Sequence, residues 1–150
     1  MEESVECVYN DGGRDACGYK GTTGDCVCRA IAIATDQSYD KVYEDLINLA
    51  GSMRQTKRVR GSHPRTGVCK NVYGKYLKDL GWKWIPVMKV GIGCTMHLVK
   101  NELPPGRLIV RLSKHVCAVI DGVVYDTYDP SRNGSRCVYG YWKKEQKYSK

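Results

Sequence analysis

Eight cysteines, at positions 7, 17, 26, 28, 69, 94, 117 and 137, and three histidines, at 63, 97 and 115, carry the reactive chemistry of this chain. A thiol becomes a nucleophile only as the thiolate, which a helix N-terminus favours through its unpaired N–H groups and dipole. Cys26 opens the apolar run Cys-Val-Cys-Arg-Ala-Ile-Ala-Ile-Ala-Thr, directly after the turn-forming Gly21-Thr22-Thr23-Gly24-Asp25. Such a thiol needs an imidazole to take its proton and a third group to orient that imidazole. His63 sits in a basic loop beside Pro64, and His97 in a segment with no clear pattern. His115 begins a strand of a hairpin, where geometry is well held. The Asp121-Gly122 turn sets residue 120 against 123, so 115 falls opposite 128 and Asp126 lies diagonal to His115 on the same face. The candidate triad is therefore Cys26, His115 and Asp126. Asp129 has the wrong parity unless a bulge shifts it, and is the alternative orienting acid. The Cys26 N–H and the Thr22–Asp25 turn, with Thr23 and Asp25 as candidates, would face an oxyanion.

These residues need elements to position them. The three alanines and preceding turn signals predict a buried helix over 26–36, on which Cys28 points roughly 200° away from Cys26 and serves packing. A second helix is expected over 39–50, with Tyr39, Val42, Tyr43, Leu46 and Leu49 on one face and Gly51 as its stop. Residues 52–70 read as a long basic loop, containing Arg54, Lys57, Arg58, Arg60, Arg65 and Lys70 and no acid. A third helix fits 71–80, closed by Gly81, and Trp82–Val87 alternates as a strand. Further strands are expected at Val5–Tyr9, Arg107–Leu112, His115–Ile120, Val123–Tyr128 and Cys137–Trp142, with a frayed Lys-rich tail from Lys143. Helices first and a strand meander afterwards predict an α+β fold, with N-terminal helices packed on a C-terminal antiparallel sheet.

Composition narrows the function classes. Apolar residues at 42% and charged residues at 27% match ordinary globular usage, and 150 residues suit one domain. No apolar stretch is long enough to span a membrane. The acidic start Met1-Glu2-Glu3-Ser4 has no apolar segment, so the reading is a cytoplasmic protein with free thiols. Cys117 and Cys137, in apolar runs, read as inert buried thiols. Cys26-Val27-Cys28 is a poor chelate, and neither a metal nor an organic cofactor is expected. Net charge of +8 points to an acidic partner: a protein or peptide substrate, or nucleic acid as the non-enzymatic alternative. The basic loop lacks interleaved aromatic residues, which disfavours a stacking platform for single strands.

The chain order of Cys, His and Asp is that of papain-like thiol hydrolases. Gly24-Asp25-Cys26-Val27-Cys28-Arg29-Ala30-Ile31-Ala32 resembles the nucleophile motif of ovarian-tumour-type (OTU) deubiquitinases, which read Asp-Gly-Asn-Cys, two apolar residues, then Arg-Ala. This resemblance implies Cys26 as nucleophile. Thr23 stands where that family has its aspartate, and Asp25 where it has asparagine. His115-Val-Cys-Ala-Val-Ile, followed by Tyr125-Asp126-Thr127-Tyr128-Asp129-Pro130, is similar to bacteriocin-leader peptidases. Their Asp-Pro pattern implies Asp129 instead of Asp126. The 25–35 stretch also resembles that of small bacteriophage proteins, which implies a viral hydrolase acting in a host cytoplasm. Together these resemblances imply a papain-like fold and a peptidase or isopeptidase, with acyl transfer by the same Cys-His pair as a variant chemistry.

Overall fold

A computed structural model describes residues 5–19 and 24–144. It has an α+β architecture. Its strands are β1 (Glu6–Tyr9), β2 (Trp82–Pro86), β3 (Arg107–Leu112), β4 (His115–Ile120), β5 (Val123–Asp126) and β6 (Gly140–Lys144). The helices are α1 (Cys26–Thr35), α2 (Tyr39–Ser52), α3 (Lys57–Arg60) and α4 (Lys70–Asp79), with a 3₁₀ turn at Lys100–Glu102. The strands form a six-stranded sheet in the order β1-β5-β4-β3-β6-β2. No helix among the described residues is long and apolar enough to cross a membrane.

Local chemistry explains each element that bears on the site. α1 is buried nearly all round, through Val27, Cys28, Ala30, Ile31, Ala32 and Ala34, as expected of a helix apolar on every face. It ends at Asp36, held in the left-handed region at φ 58°, with the Gln37 N–H returning to the Ala32 carbonyl at 3.1 Å. α2 starts where the Ser38 hydroxyl accepts the Lys41 N–H at 3.1 Å, a side-chain cap. The β4–β5 hairpin turns through Asp121 at φ 49° and Gly122 at φ 79°, both positive as a type I′ turn requires. This turn sets the register: Ile120 opposes Val123 and Ala118 opposes Tyr125.

The sheet divides two apolar layers. Ile109, Val116, Ala118 and Trp142 pack with α1, α2 and α4. Leu108, Val110, Leu112, Cys117, Val119 and Val124 pack on the other side with Val5, Leu98, Leu103 and Val138. The alternation of neighbouring residues between layers is the period-two pattern of strands buried on both faces.

Four expectations need correction. The sheet is not a purely C-terminal antiparallel meander, because β1 joins β5 in parallel, with Glu6 opposite Val123 and Tyr9 opposite Asp126. Residues 52–70 are not one structureless loop: Thr56 caps α3 by accepting the Val59 N–H, Val59 is buried, and His63 bridges Gly67. Gly51 does not stop α2, which continues through Ser52, whose hydroxyl bonds the Leu49 carbonyl. Lys143 and Lys144 are no frayed tail; β6 lies between β3 and β2, and the two lysines pair with Lys83 and Trp82. Residues 145–150 of that tail lie outside the described residues.

Candidate active site

Antiparallel pairing puts the first residue of β4 beside the last residue of β5, at one end of the sheet. The first turn of α1 arrives at the same end. Three side chains meet there. The His115 Nε2 lies 2.6 Å from Asp126 Oδ2, a short distance of the kind found for charge-assisted bonds. Cys26 lies close enough to His115 for thiol and imidazole to shift each other's proton affinity. With Nε2 engaged by Asp126, Nδ1 is the ring nitrogen left to serve a thiol. His115 and Asp126 are 7% and 2% exposed, whereas Cys26 is half-buried. Cys26 is therefore the most open of the three, and the other two are sheltered.

The electrostatics follow from this packing. Burial pushes the Cys26 thiol up, but the hydrogen bond and charge of His115, a hydrogen bond from the Val116 backbone, and Arg29 outweigh it. The net effect holds Cys26 below the usual thiol value. Burial pushes His115 down, and the bonds and charges of Asp126 and Cys26 reverse this, raising the imidazole to about 8. Both shifts favour the thiolate–imidazolium pair near neutrality. Three other thiols go the opposite way: burial pushes Cys28 up to about 12 and raises Cys117 and Cys7.

Two contributors escaped the sequence reading. Arg29, one turn after Cys26, is buried and reaches two carboxylates: Nη1 bonds Asp25, and Nη2 lies 3.1 Å from Asp126 Oδ1. Asp126 Oδ1 also accepts the Thr127 N–H at 2.7 Å, so both oxygens of this carboxylate are held. A lone charge inside an apolar helix must find a buried partner, and that was the available signal. Tyr128 is the second: its hydroxyl lies 3.2 Å from His115 Nδ1, on the side of the ring that serves the thiol. The hairpin register that sets 115 against 128 already foreshadowed this contact.

The remaining candidates fall elsewhere. Asp129 is exposed and accepts the Ser131 N–H at 2.9 Å, closing the turn around Pro130. An Asp129→Ala variant is therefore expected to alkylate at Cys26 within about twofold of the wild-type rate, because surface substitutions away from special features have small effects. A large drop would return the orienting role to Asp129. The Asp25 carboxylate is wholly buried, accepting from Arg29 and, at 2.7 Å, from the Tyr39 hydroxyl. Being an acceptor, that carboxylate has no proton to donate to an oxyanion. Any contribution of Asp25 there rests on its backbone. Thr23 lies outside the described residues. Cys26 is the first helical residue, so its N–H has no acceptor within the helix.

A concavity of about 960 Å³ lined by Ala34, Gln37, Trp82, Pro105 and Arg107 is at the far end of α1, roughly 13 Å along the helix from Cys26. It contains none of the three site residues. The basic segment is nearer: the Arg65 carbonyl accepts the Gly24 N–H at 2.7 Å, two residues before Cys26.

The reading of Cys137 as an inert free thiol is corrected, because it forms a disulfide with Cys94. His97 stands beside them, with Nε2 3.6 Å from Cys94 Sγ. The isolated pairing of His97 with Cys137 brings together residues distant in sequence, which no local pattern signals.

No family model, curated protein or solved structure matches this chain.

Proposed function

We propose that this chain is a papain-like cysteine hydrolase, a peptidase or isopeptidase using Cys26, His115 and Asp126. One observation carries the reading: an imidazole held 2.6 Å from a buried carboxylate is electrostatically coupled to a thiol at a helix start. The Cys26 thiolate attacks an amide carbonyl carbon, moving the carbonyl electron pair onto oxygen, where the Cys26 N–H can receive it. Collapse of this intermediate breaks the C–N bond, and the His115 imidazolium protonates the departing amine. His115, now neutral, takes a proton from water as that water attacks the thioester. The acid product leaves, and the proton on His115 restores the ion pair. Asp126 holds the ring orientation and stabilises its positive state. Acyl transfer would follow if an amine replaced water in the second half. Net charge of +8, with the basic 54–70 segment touching the chain just before the nucleophile, favours acidic residues flanking the scissile amide.

Iodoacetamide labelling of Cys26 across pH, read by mass, tests the pair. Labelling is expected to rise with pH through a midpoint below about 8.5, the ordinary free-thiol value. In His115→Ala that midpoint should move upward. For turnover, activity should rise as the thiolate forms and fall as His115 loses its proton near 8. A Cys26 that titrates as a free thiol, unchanged by His115→Ala, would end the dyad. A panel of ubiquitin-like, peptide and acyl electrophiles, read as mass added to Cys26, then separates the substrate classes.

A further inference from the structure

We propose that, once the Cys94–Cys137 disulfide is reduced, the two thiolates and the His97 imidazole form a zinc site. The inference does not depend on the reading of Cys26. Its basis is a cluster that shares no residue with the Cys26 site: Cys94 Sγ, Cys137 Sγ and a His97 ring nitrogen all lie within 4.8 Å of one another.

The distances suit the metal. Zinc takes sulfur at about 2.3 Å and imidazole nitrogen at about 2.0 Å in a tetrahedron, which separates a sulfur and a nitrogen ligand by about 3.6 Å. Cys94 Sγ and His97 Nε2 are 3.6 Å apart. On reduction the two sulfurs, now joined in a disulfide, would part to about 3.8 Å around a tetrahedral zinc. Cys94-Thr95-Met96-His97 also has the Cys-x-x-His spacing of a chelating pair, which a search for paired cysteines overlooks.

The surroundings suit it too. His97 turns its other nitrogen, Nδ1, towards Glu102 Oε1 at 3.5 Å, and the same oxygen accepts the His97 backbone N–H at 3.1 Å. A carboxylate behind a histidine is the usual outer support of a zinc-bound imidazole, fixing its tautomer and orientation. The backbone beneath is firm: the Leu98 N–H bonds the Arg136 carbonyl at 2.9 Å and the Val138 N–H bonds the Met96 carbonyl at 2.8 Å. Leu98 and Val138 are fully buried. Cys94 is exposed, so an ion and a water for the fourth position have a direct approach.

A thiol or phosphine reductant supplies two electrons to the S–S bond, becoming a disulfide or, with oxygen from water, a phosphine oxide. The sulfurs take up two protons, which pass to solvent as zinc binds the thiolates. Metal and disulfide thus exclude each other, and the segment before the 3₁₀ turn stays tied to the approach to β6 in either state.

Cobalt(II), a coloured stand-in for zinc, tests this on the full chain, with and without prior phosphine reduction. The reduced protein should bind one equivalent, with thiolate-to-cobalt charge-transfer absorption that added zinc abolishes, while the oxidised protein binds none. His97→Ala should weaken binding at least tenfold, and Glu102→Gln by about tenfold, whereas Cys26→Ser should bind as wild type. Zinc should also protect Cys94 and Cys137, and no other cysteine, from alkylation of the reduced wild-type chain, a readout that needs no variant. Absence of a charge-transfer band in the reduced protein would overturn the site. So would binding that Cys26→Ser removes and His97→Ala leaves intact, or protection mapping to other thiols.

Discussion

Cys26→Ala is expected to lower turnover of any amide or ester that the wild-type chain hydrolyses by about 10⁴-fold or more, the scale seen when a triad nucleophile is removed. The effect should be this large because no other thiol can substitute. Cys28 and Cys117 are sealed in the core, and burial drives both thiols away from ionisation. Cys7 moves the same way, burial being reinforced by the charges of Asp129 and Asp126. Among the free cysteines of the described residues, only Cys26 joins a half-open position to an imidazole neighbour, since Cys94 beside His97 is held in a disulfide. Product release assayed with a mixed peptide and ester library would measure it, with Cys17→Ala and Cys69→Ala as controls that keep wild-type rates. Turnover that survives in Cys26→Ala and disappears in a control would move the nucleophile elsewhere.

Arg29→Met is expected to cost about 3–5 kcal/mol of stability, the range for removing one partner of a buried ion pair. The arginine side chain is 8% exposed, and the two carboxylates it bridges are 0% and 2% exposed. Without it, two negative groups remain in the interior with less compensation, although Arg14 and Tyr39 still face Asp25 and His115 and Thr127 still face Asp126. For a chain of this size the loss corresponds to a melting temperature lower by about 10 °C, readable by calorimetry. Arg29→Lys should recover part of it, since one ammonium reaches one carboxylate well but cannot fork between two. Arg29 is also a positioning residue: it fixes Asp126 behind His115, and its charge helps lower the Cys26 thiol. The pH midpoint of Cys26 alkylation should accordingly move upward in the folded Arg29→Met protein. A variant with wild-type stability and an unmoved midpoint would reduce Arg29 to an incidental contact.

Much of this site was legible because its parts are local. The helix start at Cys26 follows from a turn sequence abutting an alanine-rich apolar run. The pairing of His115 with Asp126 follows from one two-residue turn, since the register of a hairpin propagates by twos from its tip. The parity argument selected Asp126, and the structure brings Asp126, not Asp129, to the imidazole. Tyr128 and Arg29 were within reach of the same reasoning. The first follows from carrying the register to its end, and the second from asking what a lone charge does inside an apolar helix.

What escaped were contacts between segments far apart in the chain. The parallel seat of β1 on β5 joins residues more than a hundred positions distant, and parallel pairing leaves no turn signature in the sequence. The Cys94–Cys137 bridge spans 43 residues, and its partners meet only because 96–98 pairs beside 136–138. Lys143 and Lys144 look like a solvated tail until β6 is seen to need neighbours on both edges.

By itself, then, the sequence determined helix starts, strand alternation, the hairpin register and the identity of three polar residues suited to one another. Each of these is set by steric and hydrogen-bonding rules acting over a few residues. Tertiary structure alone decided that the first turn of α1 arrives at the open end of β4 and β5, placing a thiol against an imidazole about ninety residues later. That meeting depends on packing a whole helix against a whole sheet, where the free energy is spread over many apolar contacts and no single local pattern encodes it.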